Sequence, residues 1–265
     1  MRQVLHTSLP YTPWSDPGLN RLPGIMPGVA RDAFLPDETY ADQMALRDTL
    51  LSEQRDHVLA CQEGAQGAAR ELLAMAVREA GSLAGFEVGE DWVRRPDGME
   101  VPLEFDAPLH TIGRLFQQDF CILQDGVLTG AVLCFPGGWT LSEKLGHPMA
   151  RIHRPVAIYT SDLARRVDRL FETLKPGRAL WRANAHHYDF ADLYAPRRET
   201  DPARQKGPDA PYIRSERQTL FRLPQTGAVV FAIHTLVLKR SALTPEQAAA
   251  LHPRTGPEPR SEATG

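Results

Sequence analysis

Residues 119–135, DFCILQDGVLTGAVLCF, constrain the fold more than any other stretch. Two apolar, β-rich runs flank Asp125-Gly126, a dipeptide suited to a two-residue hairpin because both central positions of that turn need positive φ. The chain therefore contains an antiparallel strand pair, and the residues that follow decide how it is covered. Leu141–Ile152 is short, polar and interrupted by Gly146 and Pro148, which predicts small helical turns. Ser161 or Asp162 opens an amphipathic helix with Leu163, Val167, Leu170, Phe171 and Leu174 on its core face, ended by Lys175-Pro176-Gly177. Strand patterns resume at Ala179–Ala185, Tyr212–Leu223 and Ala228–Lys239, with a charged, proline-rich loop at 196–211. Strands grouped in this way, with helices gathered on one face, predict an α+β domain with an antiparallel sheet. The helix at 161–175 is expected to cover the curved face and leave a cleft, the default place for a ligand.

Upstream, Pro10, Pro13, Pro17, Pro23, Pro27 and Pro36 predict an extended arm wrapping the body. Asp37 is expected to cap a helix starting near Glu38, with Met44, Leu46, Leu50, Leu51, Val58 and Leu59 in one buried stripe. A second helix is expected from Gly64 to Ala80, stopped by Gly81. The expected organisation is one globular unit: an arm and helical extension over 1–90, a sheet core over 91–240, and a short helix near Pro245–Leu251 with a polar tail over 241–265.

Composition narrows the function classes. Lys plus Arg is 30 against 33 acidic residues, a net charge of -3, so the basic surplus of a duplex-binding protein is missing. No apolar stretch approaches the ~20 residues needed to span a bilayer. The opening MRQVLHTSLPYTPW lacks the basic-then-apolar plan of a secretory signal. Cys61, Cys121 and Cys134 have no zinc or iron–sulfur spacing, and an odd number cannot all pair, which fits a reduced cytoplasm. All three sit among apolar neighbours and read as small buried hydrophobes. The standard dinucleotide, P-loop, nucleophile-elbow and zinc-protease motifs are absent.

The polar residues that stand out lie between 136 and 240. Of the nine histidines, His6, His57 and His252 read as solvent-facing, and His110 as a packing residue. His153, in RIHRPV, precedes the rigid Pro155 and the long helix; it is either an ordinary loop histidine or an imidazole held at a fixed angle to the cleft. No partner at metal-ligand spacing accompanies it, so a protein-caged metal is disfavoured. A porphyrin supplies four nitrogens and needs one protein ligand, so a lone rigid histidine beside an apolar cleft suits haem better than zinc. In ALWRANAHH, alternation puts Leu180, Arg182 and Asn184 on one sheet face. If that face lines the cleft, Arg182 can donate to dioxygen and Asn184 can orient substrate; otherwise Arg182 points to solvent. Arg214, Glu216, Gln218, Leu220 and Arg222 likewise share a face, either solvated or a polar site. His234, in an apolar run, reads as a packed core residue.

Three ordered stretches resemble a known family. Cys134–Gly146 follows the pattern C-F-P-x-x-W-x-x-x-E-K-x-G, Ile152–Val156 follows I-H-x-P-V, and Glu216–Ala228 follows E-R-Q-T-L-x-R-L-P-x-[ST]-G-A. Together they resemble the α subunit of haem-dependent oxidative N-demethylases, and the N-terminal helices look similar too. The resemblance implies a PAS-like fold binding haem b, and oxidation of dimethylamine by dioxygen to methylamine and formaldehyde. It also implies NADPH-derived electrons arriving through separate reductase subunits carrying FMN and a 2Fe–2S cluster. Related subunits use tetrahydrofolate as formaldehyde acceptor, and no residue here points to such a site.

The long helix, SDLARRVDRLFETL, lacks the histidine that haem-binding PAS gas sensors place there. The resemblance therefore makes His153 the expected iron ligand, with His147 and His234 in reserve, and Arg182 the expected oxygen-binding arginine. Glu216 is expected to hold the amine's positive charge, because a carboxylate in a dry pocket is costly unless paired. The competing expectation is a non-catalytic haem PAS sensor of gas or redox state.

Overall fold

The structure is a computed structural model that describes residues 3–21, 24–152, 169–171, 173–202, 207 and 209–251. Ten strands are found among them: β1 (Met26–Gly28), β2 (Leu59–Cys61), β3 (Glu87–Val88), β4 (Trp92–Arg94), β5 (Glu100–Pro102), β6 (Asp119–Gln124), β7 (Val127–Val132), β8 (Ala179–Tyr188), β9 (Tyr212–Arg222) and β10 (Val229–Lys239). The helices are α1 (Tyr40–Glu53), α2 (Arg55–Val58), α3 (Gln66–Ala80), α4 (Pro108–Leu115), α5 (Met149–Ile152) and α6 (Pro245–Ala250). Seven strands form one antiparallel sheet in the order β1-β8-β9-β10-β6-β7-β2, and β3, β4 and β5 form a small second sheet. The α+β class with a large antiparallel sheet is thus the observed one.

The β6–β7 hairpin turns at Asp125 and Gly126, whose φ values of 50° and 75° match the turn expected of that dipeptide. Period-2 alternation then sorts the long strands into two faces. On one, Phe120, Ile122, Val132, Phe221, Val230 and Ala232 meet Leu50 and Leu51 of α1, Leu72, Leu73 and Ala76 of α3, and Ile112 and Leu115 of α4. Each such leucine or phenylalanine contributes roughly 1.5–3 kcal/mol on burial. Helix α4 lies close on β7 at Gly113, where a Cβ would fall 2.7 Å from Val132 Cγ2. Farther along the same face the arm residue Leu9 packs with Ile213, Leu236, Leu238 and Leu243.

The opposite face presents Cys121, Leu123, Leu220, Val229 and Ile233, packed with Leu141, Met149, Phe171 and Leu174. Residues 169–171 and 173 are helical, in agreement with the expected helix end, and the rest of the 161–175 helix lies outside the described residues. Arg222 donates from Nε to Leu174 O at 2.7 Å and from Nη2 to Phe171 O, supplying a cation to carbonyls at that helix's end.

Several expectations are corrected. Asp37 does not cap α1: Thr39 is the N-cap, and Asp37 is engaged elsewhere. The stripe stops short of Val58 and Leu59, because the helix breaks at Gln54 and Leu59–Cys61 pairs with β7, covering what would be an open sheet edge. His6 is 3% exposed rather than solvent-facing. Helix α4 and the β3–β5 sheet are too short to leave a clear periodic signal. The arm, the Gly64–Ala80 helix, the turns at 141–152 and the last three strands occur close to where they were expected.

Candidate active site

Strand register brings the expected polar residues into one row. Arg182 stands opposite Gln218, and Asn184 opposite Glu216, on β8 and β9. Cα partners in an antiparallel pair share a face, so all four lie on the face away from α1, α3 and α4. Glu216 Oε2 accepts from Asn184 Nδ2 at 3.2 Å and from Gln218 Nε2 at 3.0 Å. Asn184 Oδ1 in turn accepts from Glu216 N at 3.1 Å, which fixes the amide's orientation. Oε1 accepts no hydrogen bond among the described residues; the nearest cationic nitrogen, Arg214 Nε, stands 3.7 Å away.

Arg214 is 1% exposed and holds the wall of this cluster. Its Nη2 donates to Phe135 O at 2.7 Å and its Nη1 to Leu193 O at 3.1 Å, with the guanidinium 5.7 Å from the Tyr188 ring centroid. Phe135 begins the FPGGW stretch, whose first glycine lies against the carboxylate. A Cβ on Gly137 would fall 2.4 Å from Glu216 Oε1, so no larger residue fits while Glu216 keeps its place. The stretch starts from a buried anchor: Asp119 accepts from Cys134 N at 2.7 Å, Phe135 N at 2.8 Å and Arg47 Nη1 at 2.6 Å.

Beyond Gln218 the same face becomes apolar, with Leu220, Val229 and Ile233 buried and Phe231, Leu180, Trp139 and Ile152 partly buried against them. At its far end a cavity of about 590 Å³ is lined by Leu123, Met149, Phe171, Arg222 and Val229 among others. From Glu216 to Arg222 is six residues of strand, roughly 20 Å. An apolar floor bordered at one end by a carboxylate and amides suits a flat hydrophobic cofactor next to a small polar substrate.

The histidines separate clearly. His147 is exposed, with its carbonyl accepting from Leu128 N at 3.1 Å, and His186 is exposed on β8. His234 belongs to the opposite face, its Nε2 3.0 Å from Asp37 Oδ2. His153 and His252 lie outside the described residues. The residue before His153 is firmly held: buried Lys144 donates from Nζ to Ile152 O at 3.1 Å and pairs with Glu199 Oε1 at 2.5 Å. Glu199 also takes a two-pronged pair from Arg151 at 2.9 and 3.0 Å. Arg151 and then Lys144 pull the Glu199 carboxyl down to about 2. The chemistry of the lining fits a haem: an apolar floor and no competing imidazole on it among the described residues, with a histidine next in sequence to the anchored Ile152.

Reading the sequence named Arg182, Asn184 and Glu216 but not the residues that hold them. Gln218 was visible as a face-sharing neighbour. Gly137 and Lys144 sit inside the family-like stretch, and only their contacts reveal what they do. No helix among the described residues is long and apolar enough to cross a membrane. No curated protein matches this chain. Residues 24–254 match the sequence model of one family, and the chain belongs to it: the haem-dependent oxidative N-demethylase, alpha subunit-like family.

Proposed function

We propose that the chain is the haem-bearing component of an oxygenase that removes a methyl group from a small secondary amine such as dimethylamine. The net reaction takes the amine, dioxygen, two electrons and two protons to methylamine, formaldehyde and water. The electrons come from NADPH through reductase subunits carrying FMN and a 2Fe–2S cluster. Haem b, when bound over the Leu220, Phe231 and Ile233 floor with His153 as its ligand, supplies the dioxygen activation that no amino-acid side chain can provide.

The chain's own residues then have separable tasks. Glu216 Oε1 receives the N–H of the incoming ammonium and can take its proton, leaving the nitrogen lone pair free for oxidation. Asn184 and Gln218 hold Oε2, so the carboxylate does not rotate when substrate arrives. Arg182, one residue pair along β8–β9, donates toward the oxygen side, where negative charge develops. The apolar floor excludes water and strengthens these interactions. The observation that carries this reading is Glu216 itself: a largely buried carboxylate with one oxygen secured by two amides and the other without a hydrogen bond among the described residues.

The test is dioxygen uptake and formaldehyde release by the haem-loaded chain with dimethylamine and a reductase. Amine-dependent uptake that falls about 10- to 100-fold in Glu216→Gln supports the assignment, since a charged hydrogen bond is worth about 1.5–3 kcal/mol. Haem binding without amine-dependent uptake would favour the sensor reading instead.

A further inference from the structure

On the face opposite the candidate active site, three side chains from distant parts of the chain converge. His6 comes from the N-terminal arm, Asp37 from the segment before α1, and His234 from β10, and their ligand atoms all lie within 4.8 Å of one another. We propose that these three residues bind a divalent transition-metal cation, with Zn²⁺ the simplest occupant, which fastens the N-terminal arm to the sheet.

The trio is already drawn together, with His6 Nε2 hydrogen-bonded to Asp37 Oδ2. His6 Nε2 and His234 Nε2 stand 2.7 and 3.0 Å from the same oxygen, Asp37 Oδ2. Buried His234 Nε2, by contrast, makes no hydrogen bond among the described residues. Bonds of about 2.0–2.2 Å to a shared cation place neighbouring donors roughly 3 Å apart at right angles. Two histidines and a carboxylate on one side of a cation form the facial arrangement that divalent first-row metals accept. Thr39 Oγ1, 3.2 Å from His6 Nε2, offers a fourth donor.

The surroundings orient these ligands as metal sites require. Asp37 Oδ1 is occupied by Thr39 N, Thr39 Oγ1 and Gln117 Nε2, each at 2.8 Å, which turns Oδ2 toward the histidines. His6 Nδ1 lies 3.3 Å from Val237 O, which can accept from it, and 3.2 Å from Val237 N, which can donate to it; the tautomer that uses the carbonyl leaves Nε2 to ligate. His234 Nδ1 lies 3.2 Å from the Gln118 amide, whose own Oε1 is buried without a partner.

The role follows from position. His6 lies beside Leu238 in a parallel bridge and donates its backbone N–H to Val237 O at 2.7 Å. A cation there would add a tie at the start of an arm that also packs through Leu9 and bonds through Thr7 to Glu38.

The experiment is calorimetric titration of the purified full chain with ZnCl₂ after dialysis against chelator, alongside His6→Gln and His234→Gln. The proposal expects about one equivalent bound, an affinity reduced by about 100-fold or more in both variants, and a Tm that Zn²⁺ raises only in the parent. No binding by the parent, or equal binding by both variants, would overturn it. If neither glutamine variant folds, Asp37→Asn decides: the amide keeps the shape but removes the charge, so Zn²⁺ should bind about 100-fold more weakly, and unchanged binding counts against the site.

Discussion

Around Asp119, the carboxylate is fully engaged: Arg47 Nη1 at 2.6 Å, Cys134 N at 2.7 Å and Phe135 N at 2.8 Å all donate to it, and both partners of the ion pair are buried. Around Glu216, Oε2 is held by two amides, while Oε1 has, among the described residues, only Arg214 Nε at 3.7 Å. Both carboxylates reach the same FPGGW stretch, one from its start and one from its first glycine. The contrast separates structure from reactivity. A buried anion whose donors are all supplied by the chain has nothing left to offer a ligand. One with an oxygen in reserve can take up a cation, and its neighbours have already met the cost of holding it in place.

The comparison breaks most sharply at the Asp119 anchor. Arg47→Met leaves the Asp119 charge buried without its cation and should lower stability by about 3–5 kcal/mol, read from the denaturant midpoint. Glu216→Gln should do the reverse, lowering amine turnover by about 10- to 100-fold while stability changes by less than about 1 kcal/mol. If the two variants behaved alike, the division between them would be wrong.

Gly137→Ala sharpens the picture, since its new methyl must displace Glu216 Oε1 without touching the Asp119 pair. It should raise KM for the amine about tenfold, with a stability loss of about 1–3 kcal/mol. Smaller still is the pH response of the Glu199 network. Its carboxyl is lowered from 4.5 to about 2, so its contribution is complete above the unfolded value and fades as pH falls toward 2. Hydrogen exchange over residues 139–152 should quicken across that window in the parent, and Glu199→Gln should abolish the dependence.

How much of this was legible beforehand follows the periodicity. The long strands announce themselves by alternation, and because that period is two, the shared face of Arg182, Asn184, Glu216 and Gln218 could be read without coordinates. Contacts between distant segments could not. His6 looked like part of a solvent-facing tail because nothing local marks it for burial; only the pairing of the arm with β10 brings it to Asp37 and His234. Leu59 continued an apolar stripe that looked helical, and the need to cover the β7 edge overrode it. Gly137 shows the same limit at the candidate site, since its lack of a side chain matters only once Glu216 lies against it.

The most direct test of the account is the absorption spectrum of the purified chain reconstituted with haem, set beside those of Leu220→Arg and His153→Ala. The account predicts one equivalent of haem with a Soret band in the parent. It also predicts loss of binding when an arginine is forced into the apolar floor, and an altered or lost band when residue 153 can no longer ligate. No Soret band in the parent, or a spectrum unchanged in both variants, would contradict it.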